Sequence, residues 1–155
     1  MDVVQIHLLR KSFATIERHA DVAALLFYQR LFEIEPSLRH LFCTPIDVQG
    51  DRLMESLALF LSLLERPGDL RRELEALGAR HVQYGTQAHH YAMVHDALFD
   101  MIERIHGPQL TPELRVAWEE LFSIIASTMQ EGAAKAAATP LATPASPSVR
   151  PTPAA

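Results

Sequence analysis

His81 lies on the apolar face of a predicted helix, where a buried imidazole needs a partner. Leu70, Leu74 and Leu77 precede it at helical spacing on the same face. A metal ion bound through one ring nitrogen would compensate for the lost hydration of the imidazole. The other ring nitrogen can donate to the backbone carbonyl one turn earlier, near Leu77, which would fix the tautomer. His81 is therefore the first candidate metal ligand among eight histidines.

Three residues upstream of His81 narrow the kind of metal site. Phe42 supplies an aromatic side chain. Gln49 supplies a polar group at the start of the predicted helix 49–65, and Tyr28 supplies a phenol from the predicted helix 21–35. An imidazole on one wall, polar groups on the other and an aromatic ring between them are typical of a haem pocket. Each upstream residue also has a simpler interpretation, since Tyr28 and Phe42 could be core aromatics and Gln49 an ordinary first-turn residue. Their joint occurrence favours the pocket.

Other catalytic and metal-binding motifs are missing from the sequence. It contains no HExxH, CxxC or GxSxG motif and no glycine loop that could bind phosphate. The single cysteine, Cys43, excludes an intramolecular disulfide and has no patterned base partner. His89, His90 and His95 lack the spacing that places two imidazoles on one helix face, so we expect them on the solvated surface.

Length, composition and charge restrict the class of protein. A chain of 155 residues with 48% hydrophobic content can form one domain with one sizeable core. The net charge of −5 argues against nucleic acid or an anionic membrane as a partner, because both attract basic patches. The sequence shows no export signal and no apolar run long enough to cross a bilayer. We therefore expect a cytoplasmic protein.

Hydrophobic spacing is helical throughout and predicts an all-α fold with seven or eight helices and no sheet. The predicted helices, bounded by capping residues and by Pro and Gly, are 3–19, 21–35, 36–42, 49–65, 70–85, 88–106 and a last one that starts at Thr111 and Pro112. Residues 1–131 form the predicted domain. From Gly132 onward the chain is rich in Ala, Pro, Thr and Ser, so residues 132–155 are predicted to be a disordered tail.

The chain resembles the single-domain bacterial haemoglobins and the globin domain of flavohaemoglobins, with the Hell's Gate globin subgroup the most similar. The segments that carry this resemblance are LLFYQRLFEIEPSLRHLF, QGDRL, LGARHVQYG, HHYAMV and AWEELFSIIA. It implies a globin fold over residues 3–131, with helices around protohaem IX (haem b). It also implies reversible binding of dioxygen, nitric oxide and carbon monoxide, and conversion of nitric oxide to nitrate if an external reductase is present. We expect a monomer or a weak homodimer.

The resemblance assigns a role to each candidate residue around the iron. His81 matches the proximal iron ligand, and Phe42 matches the aromatic residue that stacks on the macrocycle. Tyr28 and Gln49 match the distal polar pair, in which the phenol donates to a gas ligand and the amide adds a second donor or holds the hydroxyl. Leu53 matches the apolar residue over the distal face.

On the proximal side the resemblance is incomplete. The proximal wall is assigned to Leu77 and Val94, and Arg80 is a candidate partner for a haem propionate. Tyr91 matches the tyrosine of the Tyr–Glu pair that flavohaemoglobins place beside the proximal histidine. The position of the glutamate falls on Ala133, whereas Glu131 lies two residues earlier, about 200° around a helix. The sequence leaves open whether Glu131 completes that pair.

Different functions remain open at this stage. The chain could be a haem-based gas sensor that signals to a partner, or an oxygen carrier or store without catalytic turnover. It could also be a nitric oxide dioxygenase that depends on a separate reductase, or a globin-like fold that binds no haem.

The haem interpretation predicts a Soret absorption band in the purified protein. We expect His81→Ala to lose this band, because the variant removes the proposed iron ligand. His89→Ala, which alters one of the histidines expected on the solvated surface, is the control and should keep it. A His81→Ala protein that retains the full band would contradict the assignment.

Overall fold

The computed structural model of the protein describes residues 1–138, which form helices and no strands. The six α-helices are α1 (Val3–Arg18), α2 (Ala20–Ile34), α3 (Ile46–Ser62), α4 (Pro67–Gln83), α5 (His90–His106) and α6 (Pro112–Ala138). Two short 3-10 helices cover Pro36–Leu41 and Gly107–Gln109. The predicted all-α fold is confirmed for these residues. None of these helices is both long and apolar enough to cross a membrane.

Helix starts follow local capping signals in the sequence. The Asp2 carboxylate accepts the Gln5 backbone N–H at 2.8 Å, and the Gln5 side chain accepts the Asp2 N–H at 2.9 Å, which forms a capping box for α1. The Thr111 hydroxyl accepts the Leu114 N–H at 3.2 Å, as predicted for the start of α6.

Two helices begin earlier than the sequence predicts, in each case next to a proline. Helix α3 begins at Ile46 rather than Gln49, because the Pro45 carbonyl accepts the Gln49 N–H at 3.1 Å and closes a first turn. Helix α4 begins at Pro67, since proline is tolerated at the first helical position. Gln49 therefore lies at the end of the first turn of α3.

The buried side chains form two clusters. The larger joins α2 to α1, α3, α5 and α6, and the smaller lies between α4 and α6 with the end of α3. All three leucines predicted on the face of His81 belong to the smaller cluster: Leu70, Leu74 and Leu77. The apolar stripe of α4 is thus buried against α6.

Two glycines let α4 and α6 approach backbone to backbone. A Cβ added at Gly78 would overlap the carbonyl oxygen of Met129, and one added at Gly132 would overlap that of Glu75. Any larger residue at these positions would force the helices apart. Because Gly78 lies one turn before His81, this contact fixes where α4 holds the imidazole.

Helix α6 continues past the point where the sequence predicts the end of the domain. The predicted disordered tail starts at Gly132, but residues 132–138 are helical. Gly132 is buried against α4, the Lys135 ammonium lies 2.8 Å from the Glu75 carboxylate, and alanine favours helix. The rest of the predicted tail, residues 139–155, lies outside the described residues.

The close contact between α4 and α6 predicts that replacing glycine by alanine has different effects on stability at two positions of α4. Gly78→Ala should lower the free energy of unfolding by about 1–3 kcal/mol, because its Cβ meets the backbone of α6. Gly68→Ala, whose Cβ would meet no atom within 4 Å, should leave stability unchanged or slightly raised. Denaturant unfolding followed by circular dichroism measures both. Equal stabilities for the two variants would contradict the close contact.

Candidate functional site

A cleft lies between helix α2, the first 3-10 helix and helices α4 to α6. It holds about 620 Å³ of empty space, part of it open to solvent. Most of its lining is apolar: Phe27, Leu31, Leu38, Leu41, Phe42, Val94 and Met129. The polar side chains in the lining are Tyr28, His81, Thr86, His90 and Tyr91. A mostly apolar cleft with a few polar groups is the usual form of a small-molecule site.

His81 is buried on the α4 wall of this cleft, with 8% of its surface exposed. Its Nδ1 lies 2.8 Å from the backbone carbonyl of Leu77, the second contact that the sequence predicts. A carbonyl oxygen only accepts, so Nδ1 carries the proton and Nε2 carries the lone pair of the neutral ring. This is the tautomer that a metal-binding histidine uses.

The other buried histidine is satisfied by the protein itself. His106 Nε2 lies 2.7 Å from the Ser12 hydroxyl oxygen, which also accepts the indole N–H of Trp118 at 3.0 Å. Burial lowers the pKa of His106 and keeps the ring neutral. Of the two buried histidines, only His81 lines the cleft.

Tyr28 is buried on α2, where its ring meets the edge of Phe42 at 5.5 Å between ring centres. Its hydroxyl donates to the backbone carbonyl of Gln49 at 3.3 Å. Burial raises the pKa of the Tyr28 phenol, and the Arg52 charge offsets only part of that shift. The phenol therefore stays protonated and remains a hydrogen-bond donor.

Gln49 has no exposed surface, and neither its Oε1 nor its Nε2 has a hydrogen-bond partner in the part of the chain that the structure describes. A buried amide without partners costs about 1–3 kcal/mol. The side chain is not part of the cleft lining. The backbone carbonyl of Gln49 accepts the hydrogen bond from the Tyr28 hydroxyl. The side-chain amide of Gln49 is therefore available to another polar group.

Three further predicted site residues lie outside the cleft lining. Leu53 is buried in the larger core cluster, and Leu77 is buried between α4 and α6. Leu77 still serves the site through its backbone carbonyl. Arg80 is exposed on α4.

Glu131 does not lie beside Tyr91, the tyrosine predicted for the proximal side. Tyr91 is half-buried in the cleft lining, and burial raises its pKa. Tyr91 and Ala133 line one surface depression, in keeping with the position counted from the sequence. Glu131 instead forms an exposed ion pair with Arg71, 2.5 Å from its guanidinium. The structure therefore does not bring Glu131 to Tyr91.

His90 and Thr86 are lining residues that the sequence did not identify. His90 was expected on the solvated surface, yet it is half-buried and lines the cleft. The available signal was its position one turn before Val94 on α5, whereas the prediction for His90 depended only on the spacing between histidines. Burial and His89 lower the pKa of His90, although Glu35 opposes the shift, so the ring is neutral near pH 7.

These residues fit a haem better than a metal ion held by side chains alone. Within residues 1–138, no group of three or more His, Cys, Asp or Glu side chains could hold a metal ion. A macrocycle supplies the remaining ligands itself, and the apolar lining suits its faces. The tautomer of His81 and the unpartnered amide of Gln49 fit an iron ligand and a gas-binding side, respectively.

Comparison with known proteins identifies relatives along most of the chain. The globin family profile matches residues 25–129. A protein of Oryza sativa subsp. indica named "anaerobic nitrite reductase" is 32% identical over 139 residues, 86% of this chain and 96% of the relative. Neuroglobin of Danio rerio is 25% identical over 142 residues, 83% of this chain and 89% of the relative.

Solved structures agree with the sequence relatives. An engineered carbene transferase, derived from a candidate nitric oxide dioxygenase of Rhodothermus marinus, superposes with a TM-score of 0.77 at 26% identity. The match covers 89% of this chain and 96% of that one. Together with the profile match, these similarities show that the chain belongs to the globin family and has the globin fold, which implies a bound haem.

Proposed function

We propose that this globin binds haem b through His81 and uses it to bind dioxygen, nitric oxide and carbon monoxide reversibly. The observation that carries the proposal is the imidazole of His81 in an apolar cleft, with Nδ1 fixed by the Leu77 carbonyl. Haem supplies an iron atom that binds small gases and can change its oxidation state. The protein supplies the ligand nitrogen, the polar groups on the other side and a mostly apolar lining.

On the distal side, Tyr28 and Gln49 differ in their hydrogen bonds. The Tyr28 hydroxyl has one proton, which it gives to the Gln49 carbonyl, so it must leave that carbonyl to donate to a gas. The Gln49 amide has no such competing bond within the described residues, but its side chain is not part of the cleft lining. We assign both residues as distal donors, each of which reaches a gas ligand after a local rearrangement.

The same site supports conversion of nitric oxide to nitrate. Nitric oxide, dioxygen and one electron give nitrate, so sustained turnover requires an external reductase. The Rhodothermus marinus relative, described as a candidate nitric oxide dioxygenase, supports this second activity. A gas sensor or an oxygen carrier, unlike a nitric oxide dioxygenase, would need no supply of electrons. A cytoplasmic location and a monomer or weak homodimer also belong to the proposal.

Anaerobic reduction followed by rapid mixing tests gas binding and turnover together. We expect the reduced protein to bind dioxygen reversibly, and the dioxygen-loaded protein to consume nitric oxide with nitrate as the product. Repeated turnover with an added reductase would support the dioxygenase, and consumption of one equivalent alone would support the carrier. A protein that binds none of the three gases would contradict the proposal.

The distal assignment predicts that Tyr28→Phe speeds dioxygen release at least about tenfold, because a hydrogen bond involving charge contributes about 1.5–3 kcal/mol. Tyr84→Phe is the matched control and should release dioxygen at the parental rate, since it keeps the ring that contacts His81 and removes a hydroxyl from a residue outside the cleft lining. Stopped-flow displacement by carbon monoxide measures both rates. An unchanged rate in Tyr28→Phe would remove Tyr28 from the distal role.

The unpartnered amide predicts opposite effects of Gln49→Met on stability and on gas retention. The haem-free variant should gain about 1–3 kcal/mol in free energy of unfolding, because the cost of the buried amide is relieved. The haem-loaded variant should release dioxygen faster. Gln29→Met, at an exposed position of α2, should change stability by less than about 0.5 kcal/mol. Loss of stability in Gln49→Met would show that the amide is satisfied.

A further inference from the structure

The polar groups of the cleft are unevenly distributed. Thr86, His90 and Tyr91 come from one short stretch, which joins the end of α4 to the first turn of α5. The lining from α2 and the first 3-10 helix is apolar except for Tyr28. The cleft therefore has one polar edge, and we define that edge by Thr86 and His90.

The hydrogen bonds of His90 set which ring nitrogen can donate. The backbone N–H of Gln87 donates to His90 Nδ1 at 3.0 Å, so the proton of the neutral ring is on Nε2. The neighbouring His89 is exposed and does not line the cleft, although the two rings are 4.3 Å apart. His90 thus brings an N–H donor to the polar edge, and Thr86 brings a hydroxyl.

A haem is amphipathic in the same way as this cleft. Its faces are apolar, while its carboxylate side chains lie together at one edge. A buried carboxylate without partners is costly, so that edge must meet hydrogen-bond donors or water. Arg80, the residue that the sequence suggests for this role, is exposed and outside the lining.

We propose that His90, together with Thr86, binds a carboxylate of the haem and so determines which edge of the macrocycle faces the loop between α4 and α5. This inference rests on the proposed haem site and adds the residue that anchors its charged edge. A hydrogen bond to a carboxylate is among the stronger ones available to a neutral donor. His90 is a positioning residue and does not touch the gas ligand.

The rate of haem loss tests the anchor directly. Ferric haem-loaded protein is mixed with excess haem-free myoglobin, and the transfer is followed by absorbance. His90→Phe, which keeps an aromatic ring but has no N–H donor, should lose haem about tenfold faster than the parent protein, as expected for one lost hydrogen bond to a charged group. His89→Phe is the matched control and should lose haem at the parental rate. Arg80→Gln tests the alternative anchor and should also match the parent.

A second arm removes the carboxylates instead of the histidine. When the proteins are reconstituted with haem dimethyl ester, the parent and His90→Phe should lose the macrocycle at equal rates. A difference that persists with the ester would overturn the proposal, because His90 would then act through packing.

Two results with ordinary haem would also overturn it: an unchanged rate in His90→Phe, or faster loss in Arg80→Gln alone. The Soret band of the parent protein separates these failures from failure of the haem site itself. A parent protein with the band and no effect of His90 contradicts only the anchor.

Discussion

The close contact between α4 and α6 is the constraint on which the site depends. Gly78 and Gly132 allow the two backbones to touch, so α4 has little freedom to slide or rotate against α6. His81 lies one turn after Gly78, and its Nδ1 is held by the carbonyl of Leu77 in the same turn. Helix contact and hydrogen bond together fix the position and the tautomer of the imidazole before any ligand is present. The backbone thus preorganises the proposed metal ligand.

The proposed distal side is not preorganised in this way. Burial of the Gln49 side-chain amide costs free energy that no hydrogen bond within the described residues offsets. Within residues 1–138 the buried Gln49 amide has no hydrogen-bond partner, and the Tyr28 hydroxyl donates to a carbonyl that it would have to leave in order to bind a gas ligand. The rest of the core, which joins α2 to α1, α3, α5 and α6, provides the stability that tolerates this cost. A rigidly held imidazole on one wall suits permanent binding of haem iron. An amide with unsatisfied hydrogen bonds on the other side suits transient binding of a gas.

Local patterns in the sequence were sufficient to predict that the helices exist and that His81 is buried. The leucine stripe before His81 predicted both its burial and its bond to the Leu77 carbonyl, because both depend on helical spacing alone. The end of the domain was not predictable, since Gly132 is buried by a tertiary contact with α4 that composition does not reveal. The cleft position of His90 was missed although the residue lies one turn before Val94 on α5, and exposed Arg80 was proposed for the charged edge instead.

The central claim is that His81 binds iron through Nε2 while the Leu77 carbonyl holds Nδ1. A crystal structure of the haem-loaded protein, at a resolution that orients the imidazole, tests it most directly. The account predicts that Nε2 of His81 is the iron ligand and that Nδ1 stays within hydrogen-bond distance of the Leu77 oxygen. Iron bound by another side chain, or an imidazole turned away from Leu77, would contradict it.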